Sequence, residues 1–307
     1  MITYVNGEYV PRDKAVVSVD DRALMIGDAV FDIGRTFATV PFKLEEHLQR
    51  LVRSLRYVEM DGDGLYPELR EATEQVLERN AEAVAESGDV YFEQIVTRGL
   101  IGAIGEDSNM NAPTVIVKLR PVPFAAFAPY YETGIDVHSS LLTTSFAGPM
   151  DPRVKAANRL ANTRAELKGE RMRKAGGAGH WTMMFNADGT VAETHGANIS
   201  LVDEGRLIVP PRHQMLNGIS LATLCELAEG LGIEIEARTI TLYDVLNAEE
   251  TILTGTSFSA LPITRLDGIE LRGGRTTYDR LLGAWKELVG MDFVAQARDA
   301  IAAGASR

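Results

Sequence analysis

The sequence is short of several residue types that whole classes of chemistry require. It has one cysteine, Cys225, in 307 residues, which excludes an intrachain disulfide framework and any zinc or iron–sulfur site built from cysteines. Positive charge is outweighed: 31 Lys and Arg face 43 Asp and Glu, a formal net charge of −12. Polyanions and anionic lipid surfaces are held by basic patches, so neither nucleic acid nor membrane is an expected partner. No apolar run approaches the ~18 residues of a spanning helix. Met1-Ile2-Thr3-Tyr4 opens without the basic, then apolar, segment of a secretory signal. Lysine is scarcest among the charged residues, with seven against 24 arginines. The five histidines (His47, His138, His180, His195, His213) include no i, i+4 pair for a zinc-binding helix. A G-x-G-x-x-G after a strand, a G-x-x-x-x-G-K-[ST] phosphate loop and a G-x-S-x-G elbow are all missing. Ala175-Gly176-Gly177-Ala178-Gly179 lacks the Lys and Thr of a phosphate loop and reads as a helix stop. The expectation is a cytoplasmic protein acting on small molecules.

What is present mixes short strands with helices. Asn6-Gly7 between Tyr4-Val5 and Glu8-Tyr9-Val10 predicts a type I′ hairpin. Leu48, Leu51, Val52 and Leu55 predict an amphipathic helix over 45–57, and a second helix is read over 66–86. Strands follow at 90–97 and 113–119. Three prolines within Arg120–Pro129 cannot continue a helix or central strand. This stretch reads as an interdomain connection or, alternatively, a long loop. The domains are therefore set at 1–119 and 133–307, with a linker at 120–132. In the second half, strands are read at 134–139, 181–186, 191–192, 199–202, 207–209, 233–237 and 251–254. Helices are read at 158–174, 219–231 and 278–288, Cys225 lying on the apolar face of the second. Strands that fold back on themselves, without regular βαβ alternation, make the class α+β.

Five features carry candidate chemistry. They are Glu46-His47-Leu48-Gln49-Arg50-Leu51, Lys155 ahead of a helix, Glu193 with Asn198 five residues on, Leu216-Asn217-Gly218-Ile219-Ser220 opening a helix, and Gly255-Thr256-Ser257 after a strand. Singly, each has an ordinary explanation: a solvated lysine, a surface turn, a loop. Together, in this order and with Pro210-Pro211 between, they resemble the class IV pyridoxal-phosphate aminotransferases. That family includes branched-chain and D-amino-acid aminotransferases, (R)-selective amine transaminases and aminodeoxychorismate lyase. The likeness runs from Asn6-Gly7 to Leu266-Asp267-Gly268.

The resemblance implies a fold type IV enzyme of two domains, the larger C-terminal one a pseudo-barrel of short strands with helices. It also implies pyridoxal 5′-phosphate as cofactor and a homodimer. Lys155 would form the Schiff base and move the substrate's α-proton, a task for an amine that can be neutral near pH 7, as an arginine cannot be. Glu193, beside Asn198, would pair with the pyridine nitrogen. Arg50, the amides of Ile219 and Ser220, and Thr256 with Ser257 would hold the phosphate, a helix start being suited to an anion. Ser200, Val209, Leu221 and His195 depart from the common pattern. Arg159 stands where branched-chain enzymes tend to place a tyrosine, either stabilising the cofactor's phenolic oxygen or lying on a helix surface.

Substrate choice is less uniform. Branched-chain enzymes resemble one another in a Tyr-x-Arg where this chain has Tyr91-Phe92-Glu93. A carboxylate at Glu93 is expected to repel a substrate carboxylate. The Arg-x-His of D-amino-acid enzymes is absent after Thr97-Arg98-Gly99, which leads into Leu100-Ile101-Gly102-Ala103-Ile104. Glu93 and Phe31-Asp32-Ile33 resemble the (R)-selective amine transaminases, whereas Asn158-Arg159-Leu160 is similar to the lyases. The expected activity is transamination of an (R)-amine or D-amino acid with a 2-oxo acid, the alternatives being a branched-chain aminotransferase or an aminodeoxychorismate-type lyase. Arg35 and Arg98 are candidates for a substrate carboxylate, Ile26, Phe31, Tyr91 and Glu93 for the rest of the pocket. His47 is expected to serve in helix packing.

Overall fold

The computed structural model describes residues 1–101, 112–143, 150–174 and 181–305. The run 175–179, His180, and the stretch Gly102-Ala103-Ile104 lie outside the described residues. The chain divides into two units, Met1–Val122 with Val154–Asn158, and Pro123–Arg153 with Arg159–Arg307.

The first unit holds, in order, β1 (Ile2–Val5), β2 (Glu8–Pro11), α1 (Arg22–Ile26), β3 (Ala29–Phe37), β4 (Val40–Pro41), α2 (Leu44–Tyr57), α3 (Gly62–Arg79), α4 (Ala81–Ser87), β5 (Val90–Thr97) and β6 (Thr114–Pro121). Among the described residues its sheet has the order β2-β1-β6-β5-β3-β4, with the named strands paired antiparallel throughout. The hairpin expected at Asn6-Gly7 forms, with φ of 47° and 89°, the left-handed pair that a type I′ turn demands. Helix α2 follows its periodicity and buries Leu48, Leu51, Val52 and Leu55 against β3 and α3.

The single helix read over 66–86 is instead two. Asp61 caps α3 by accepting from Gly64 N, which starts the helix ahead of Pro67. Asn80 ends it, because its side chain is taken by β1: Nδ2 donates to Ile2 O at 2.9 Å and Oδ1 accepts from Ile2 N at 2.6 Å.

The second unit contains α5 (Phe124–Phe127), α6 (Tyr130–Thr133), β7 (Ile135–Thr143), α7 (Leu160–Lys174), β8 (Trp181–Phe185), β9 (Val191–Thr194), β10 (Asn198–Asp203), β11 (Arg206–Val209), α8 (Ile219–Gly230), β12 (Ile235–Ala237), α9 (Leu242–Asn247), β13 (Glu250–Gly255), β14 (Ser259–Leu266), β15 (Ile269–Glu270), α10 (Thr276–Val289) and α11 (Phe293–Ala305). The four-residue helices α5 and α6 lie in and just after the proline-rich stretch that was read as an interdomain connection. Each begins right after a proline, whose fixed φ suits a helix start. Its described strands run β12-β11-β10-β13-β14-β7-β8-β9, with β15 beside β14. Its pairs are parallel at β11–β12, β14–β7 and β7–β8 and antiparallel at the others named. This mixed arrangement is α+β. The core gathers Ile199, Leu224, Ile252, Leu253, Tyr278 and Trp285, with α8 packed on β13 and α10.

Candidate functional site

In the first unit Lys155 is positioned by backbone pairing. Val30 and Ala156 form an antiparallel bridge, Phe31 N donates to Lys155 O at 3.0 Å, and Ala157 N donates to Ala29 O at 2.8 Å. The lysine's own N–H donates to Ser54 Oγ on α2 at 3.2 Å. Held from both sides, Lys155 directs its amine over the Phe31 ring, 4.7 Å from the centroid.

Below β3 lies a buried charge network. Asp32 is fully buried and accepts from Arg50 twice, Nε to Oδ2 at 2.7 Å and Nη2 to Oδ1 at 2.8 Å. Oδ1 also lies 2.7 Å from His47 Nδ1. His47 and Arg50 are three residues apart on α2, and so on one helix face. Burial alone would raise the Asp32 carboxyl, but Arg50 and His47 outweigh it and hold the group far below the usual carboxylate range. Burial keeps His47 below its ordinary value; Asp32 opposes that shift, and Arg50 and Lys155 add to it. The His47 ring also meets the Phe92 edge at 5.7 Å. His47 therefore packs the helix, as expected, and links it to Asp32, which sequence reasoning missed.

The sheet sorts the substrate-side candidates by face. Antiparallel partners share a face, and alternate residues point opposite ways. The register pairs Phe31 with Ile95, Ile33 with Glu93 and Arg35 with Tyr91. On the next strand Ile116, Lys118 and Arg120 pair with Ile95, Glu93 and Tyr91. Phe31, Arg35, Tyr91 and Glu93 thus come together on one face, away from Asp32, Phe92 and Gln94.

The other candidates stand elsewhere. Ile26 ends α1 and is largely exposed. Arg98 donates to Asp28 Oδ2 at 2.8 Å, to Val58 O at 2.5 Å and to Glu59 O at 3.4 Å. It is neither a solvent-facing turn residue nor a member of the sheet face. Arg35 is buried, donates to Thr36 O, lies 3.6 Å from Asp89 Oδ2 and covers the Phe37 ring. The expected repulsion at Glu93 needs correcting, because its carboxylate is already met by Arg120 Nε and by Lys118 Nζ, the latter at 3.2 Å.

In the second unit the five-residue spacing of Glu193 and Asn198 has a local cause. Thr194 N and Oγ1 donate to Ala197 O at 2.8 and 2.9 Å, and Ala197 N donates to Thr194 Oγ1 at 3.0 Å. This tight turn from β9 to β10 folds Asn198 back onto the carboxylate. Asn198 Nδ2 donates to Glu193 Oε2 at 3.2 Å and to Leu216 O at 2.9 Å, and Leu216 N donates to Oε2 at 3.3 Å. Asn198 Oδ1 occupies the space beside Gly218, where an added Cβ would lie 2.0 Å from it. Gly218 is the N-cap of α8 and brings no side-chain cap to the first amides of that helix. Glu193, Asn198, Ile219 and Ser220 are thereby brought together. Thr256 and Ser257, both half-buried, form the turn between β13 and β14. Arg159 Nη2 donates to His195 O at 2.8 Å, joined by Asn162 Nδ2 at 3.0 Å, while the His195 ring stacks on Trp181 at 4.8 Å. Arg159 is therefore half-buried against the Glu193–Asn198 turn instead of lying on a helix surface.

Comparison with known proteins gives the family and the fold. The family described as Amino-transferase class IV matches residues 29–266. The Methanocaldococcus jannaschii protein named "Putative branched-chain-amino-acid aminotransferase" is 31% identical over 271 residues, 87% of this chain and 88% of that protein. A D-alanine aminotransferase of Staphylococcus haemolyticus is 26% identical over 285 residues, 89% of this chain and 91% of that protein. The crystal structure of the Escherichia coli branched-chain amino acid aminotransferase superposes with a TM-score of 0.79 at 25% identity, covering 94% of this chain and 93% of that one.

Proposed function

Because the chain belongs to the class IV aminotransferases, we propose that it transfers an amino group from an (R)-amine or D-amino acid to a 2-oxo acid, with Lys155 as the proton-transferring residue. It is a pyridoxal 5′-phosphate-dependent enzyme, and the residues fit that cofactor by the chemistry of their donor set. An aldehyde requires an amine, a pyridine nitrogen a carboxylate, and a phosphate a cluster of N–H donors. Lys155, Glu193, and Arg50 with the uncapped start of α8 are of those kinds. When bound, pyridoxal phosphate supplies a carbonyl for the amine and a ring that takes up the electron pair left at the substrate's α-carbon.

The chain's own residues do the rest. Lys155 Nζ, neutral, accepts the substrate's α-proton and later gives it up. Glu193 holds a proton on the ring nitrogen by a charge-assisted hydrogen bond. Asn198 Nδ2 and Leu216 N orient that carboxylate through Oε2. Arg50, aimed by Asp32, joins Ile219 N, Ser220 N, Thr256 and Ser257 in holding the phosphate. Arg159, on the turn beside Glu193, stabilises the phenolic oxygen.

The observation that carries this reading is the double backbone pairing of the segment Lys155-Ala156-Ala157 with β3. Borohydride reduction of the yellow holoenzyme is expected to fix the cofactor to Lys155; a label on any of the other six lysines overturns it. A half-reaction panel with L-leucine, D-alanine and (R)-1-phenylethylamine assigns the donor. The L-leucine arm tests the branched-chain alternative, and turnover without an amino acceptor would indicate the lyase. We also propose a cytoplasmic homodimer. On the first unit Val16, Val19, Leu24, Met25, Ile26 and Leu100 are more than half exposed, an apolar patch of the kind that marks an interface. A fully active monomer by light scattering would contradict the dimer.

A further inference from the structure

Beyond the cofactor residues, the half-open face of the six-stranded sheet carries a cluster of three charges. Glu93 accepts from Arg120 Nε and pairs with Lys118 Nζ at 3.2 Å. Two cations on one carboxylate leave a net charge of +1. The three are unequally exposed: the Glu93 side chain is 6% accessible, that of Lys118 30% and that of Arg120 43%. The carboxylate therefore lies against the sheet, and the guanidinium is presented outward. Arg120 is also steadied by the Tyr91 ring, 5.0 Å from its Cζ. Among the described residues its Nη1 and Nη2 have no protein hydrogen-bond partner. Arg35, also on this face, is committed to Asp89 and Thr36 O.

Position relative to Lys155 gives the cluster a use. The Lys155 amine stands over Phe31, on the same face. Glu93 is one residue pair further along, about 7 Å, and β6 is two strands across from β3, about 10 Å. Arg120 Nε reaches back to Glu93, so the guanidinium sits at that row. It is too far from the Lys155 amine to meet the α-carbon or the carboxylate attached to it. It is within range of the opposite end of a substrate that extends over the sheet.

We propose that Arg120, held by Glu93 and supported by Lys118, is a specificity-determining residue that binds a second, distal carboxylate, making dicarboxylic 2-oxo acids the preferred acceptors. This rests on the transaminase reading and deepens it. Glu93 then acts as a positioning residue, setting two cations in place.

The test compares 2-oxoglutarate with 2-oxohexanoate, which lacks the distal charge, on the holoenzyme and its Arg120→Leu, Arg120→Lys and Lys118→Met variants. Arg120→Leu is expected to lower the ratio of kcat/KM for 2-oxoglutarate over 2-oxohexanoate by about tenfold or more, expressed in KM. Arg120→Lys should restore part of the ratio, and Lys118→Met should lower it less. Calorimetric binding of each acid to the holoenzyme, without an amino donor, is expected to show the same ranking. A ratio unchanged in Arg120→Leu and Lys118→Met, or both acids weakened equally, overturns the proposal. If the wild type turns over neither acid with any amine, the transaminase reading fails. Calorimetry still decides on Arg120: selective loss of 2-oxoglutarate binding supports it, and equal binding sinks it.

Discussion

The candidate site residues of the two units meet charge by opposite means. In the first, ions meet ions: Asp32 with Arg50, Glu93 with Lys118 and Arg120, Arg35 with Asp89. In the second, the Glu193 Oε2 atom is met by neutral donors, an asparagine amide and a backbone N–H, and the element proposed to bind the anion is a helix start. Paired ions tolerate burial only while both partners remain, since a lone buried charge is far costlier than the pair. Neutral donors impose no such condition, but they work only at close range and in a fixed geometry. The first unit should therefore fail through lost charge and the second through lost shape.

The largest effect tests the premise beneath that contrast. Lys155→Ala should reduce kcat by about 10³-fold or more, from proton transfer alone, while leaving thermal unfolding close to wild type because the side chain is only half-buried. A variant that keeps a tenth of its activity would remove Lys155 from the chemistry. Next comes Asp32→Asn. It strips the counter-ion from Arg50, which is 5% exposed, and should cost about 3–5 kcal/mol in urea unfolding. A loss below ~1 kcal/mol would break the claim that the first unit depends on paired charge.

Gly218→Ala gives the matching test of shape. The new methyl would lie 2.0 Å from Asn198 Oδ1, so either the amide swings off Glu193 or α8 shifts. Overpacking of this kind costs about 1–3 kcal/mol. Cofactor affinity, read by fluorescence titration, should fall roughly tenfold and equally at low and high salt. A salt-sensitive loss would indicate that charge, not fit, governs the second unit as well.

Much of this was legible in the sequence, wherever the cause was local. The Asn6-Gly7 turn, the α2 stripe and the strand at 90–97 come from neighbouring residues alone. Causes that lie far along the chain were not legible. Asn80 divides α3 from α4 because its side chain bonds Ile2, 78 residues away. Strand β3 was not read at all: Asp32 and Gly34 argue against a strand, yet Asp32 is stabilised by α2, and a Cβ at Gly34 would strike the Phe92 ring at 2.1 Å. Strand β14 carries Pro262, a residue that argues against a central strand. Its pairing with β7 begins only at Ile263, one residue later. At the site, motifs supplied Lys155, Glu193 and Arg50. Lys118 and Arg120 had a visible signal, two cations at alternate positions of an apolar strand, whose meaning required the register with Glu93.

The smallest effect separates the members of the Asp32 network by pH. His47 is held below its ordinary value in the folded protein, mainly by burial, with Arg50 and Lys155 adding to the depression and Asp32 opposing it. The unfolded chain therefore binds its proton first, near pH 6.5. As pH falls from there towards the folded value, the unfolded state takes up more protons and stability drops, at up to about 1.4 kcal/mol per pH unit. Asp32 is also depressed, so its contribution is complete above the ordinary carboxylate range and is lost only below about pH 4. The His47 window therefore opens at a higher pH than the Asp32 window. His47→Gln, which keeps a side-chain N–H for Asp32, should flatten the stability profile just below about pH 6.5 and leave the fall below about pH 4 in place. Urea midpoints across that range measure both. A profile unchanged by His47→Gln would mean that His47 keeps its proton in the folded state, and that the first unit's network is a cationic pair clasping Asp32, not one arginine steered by a neutral ring.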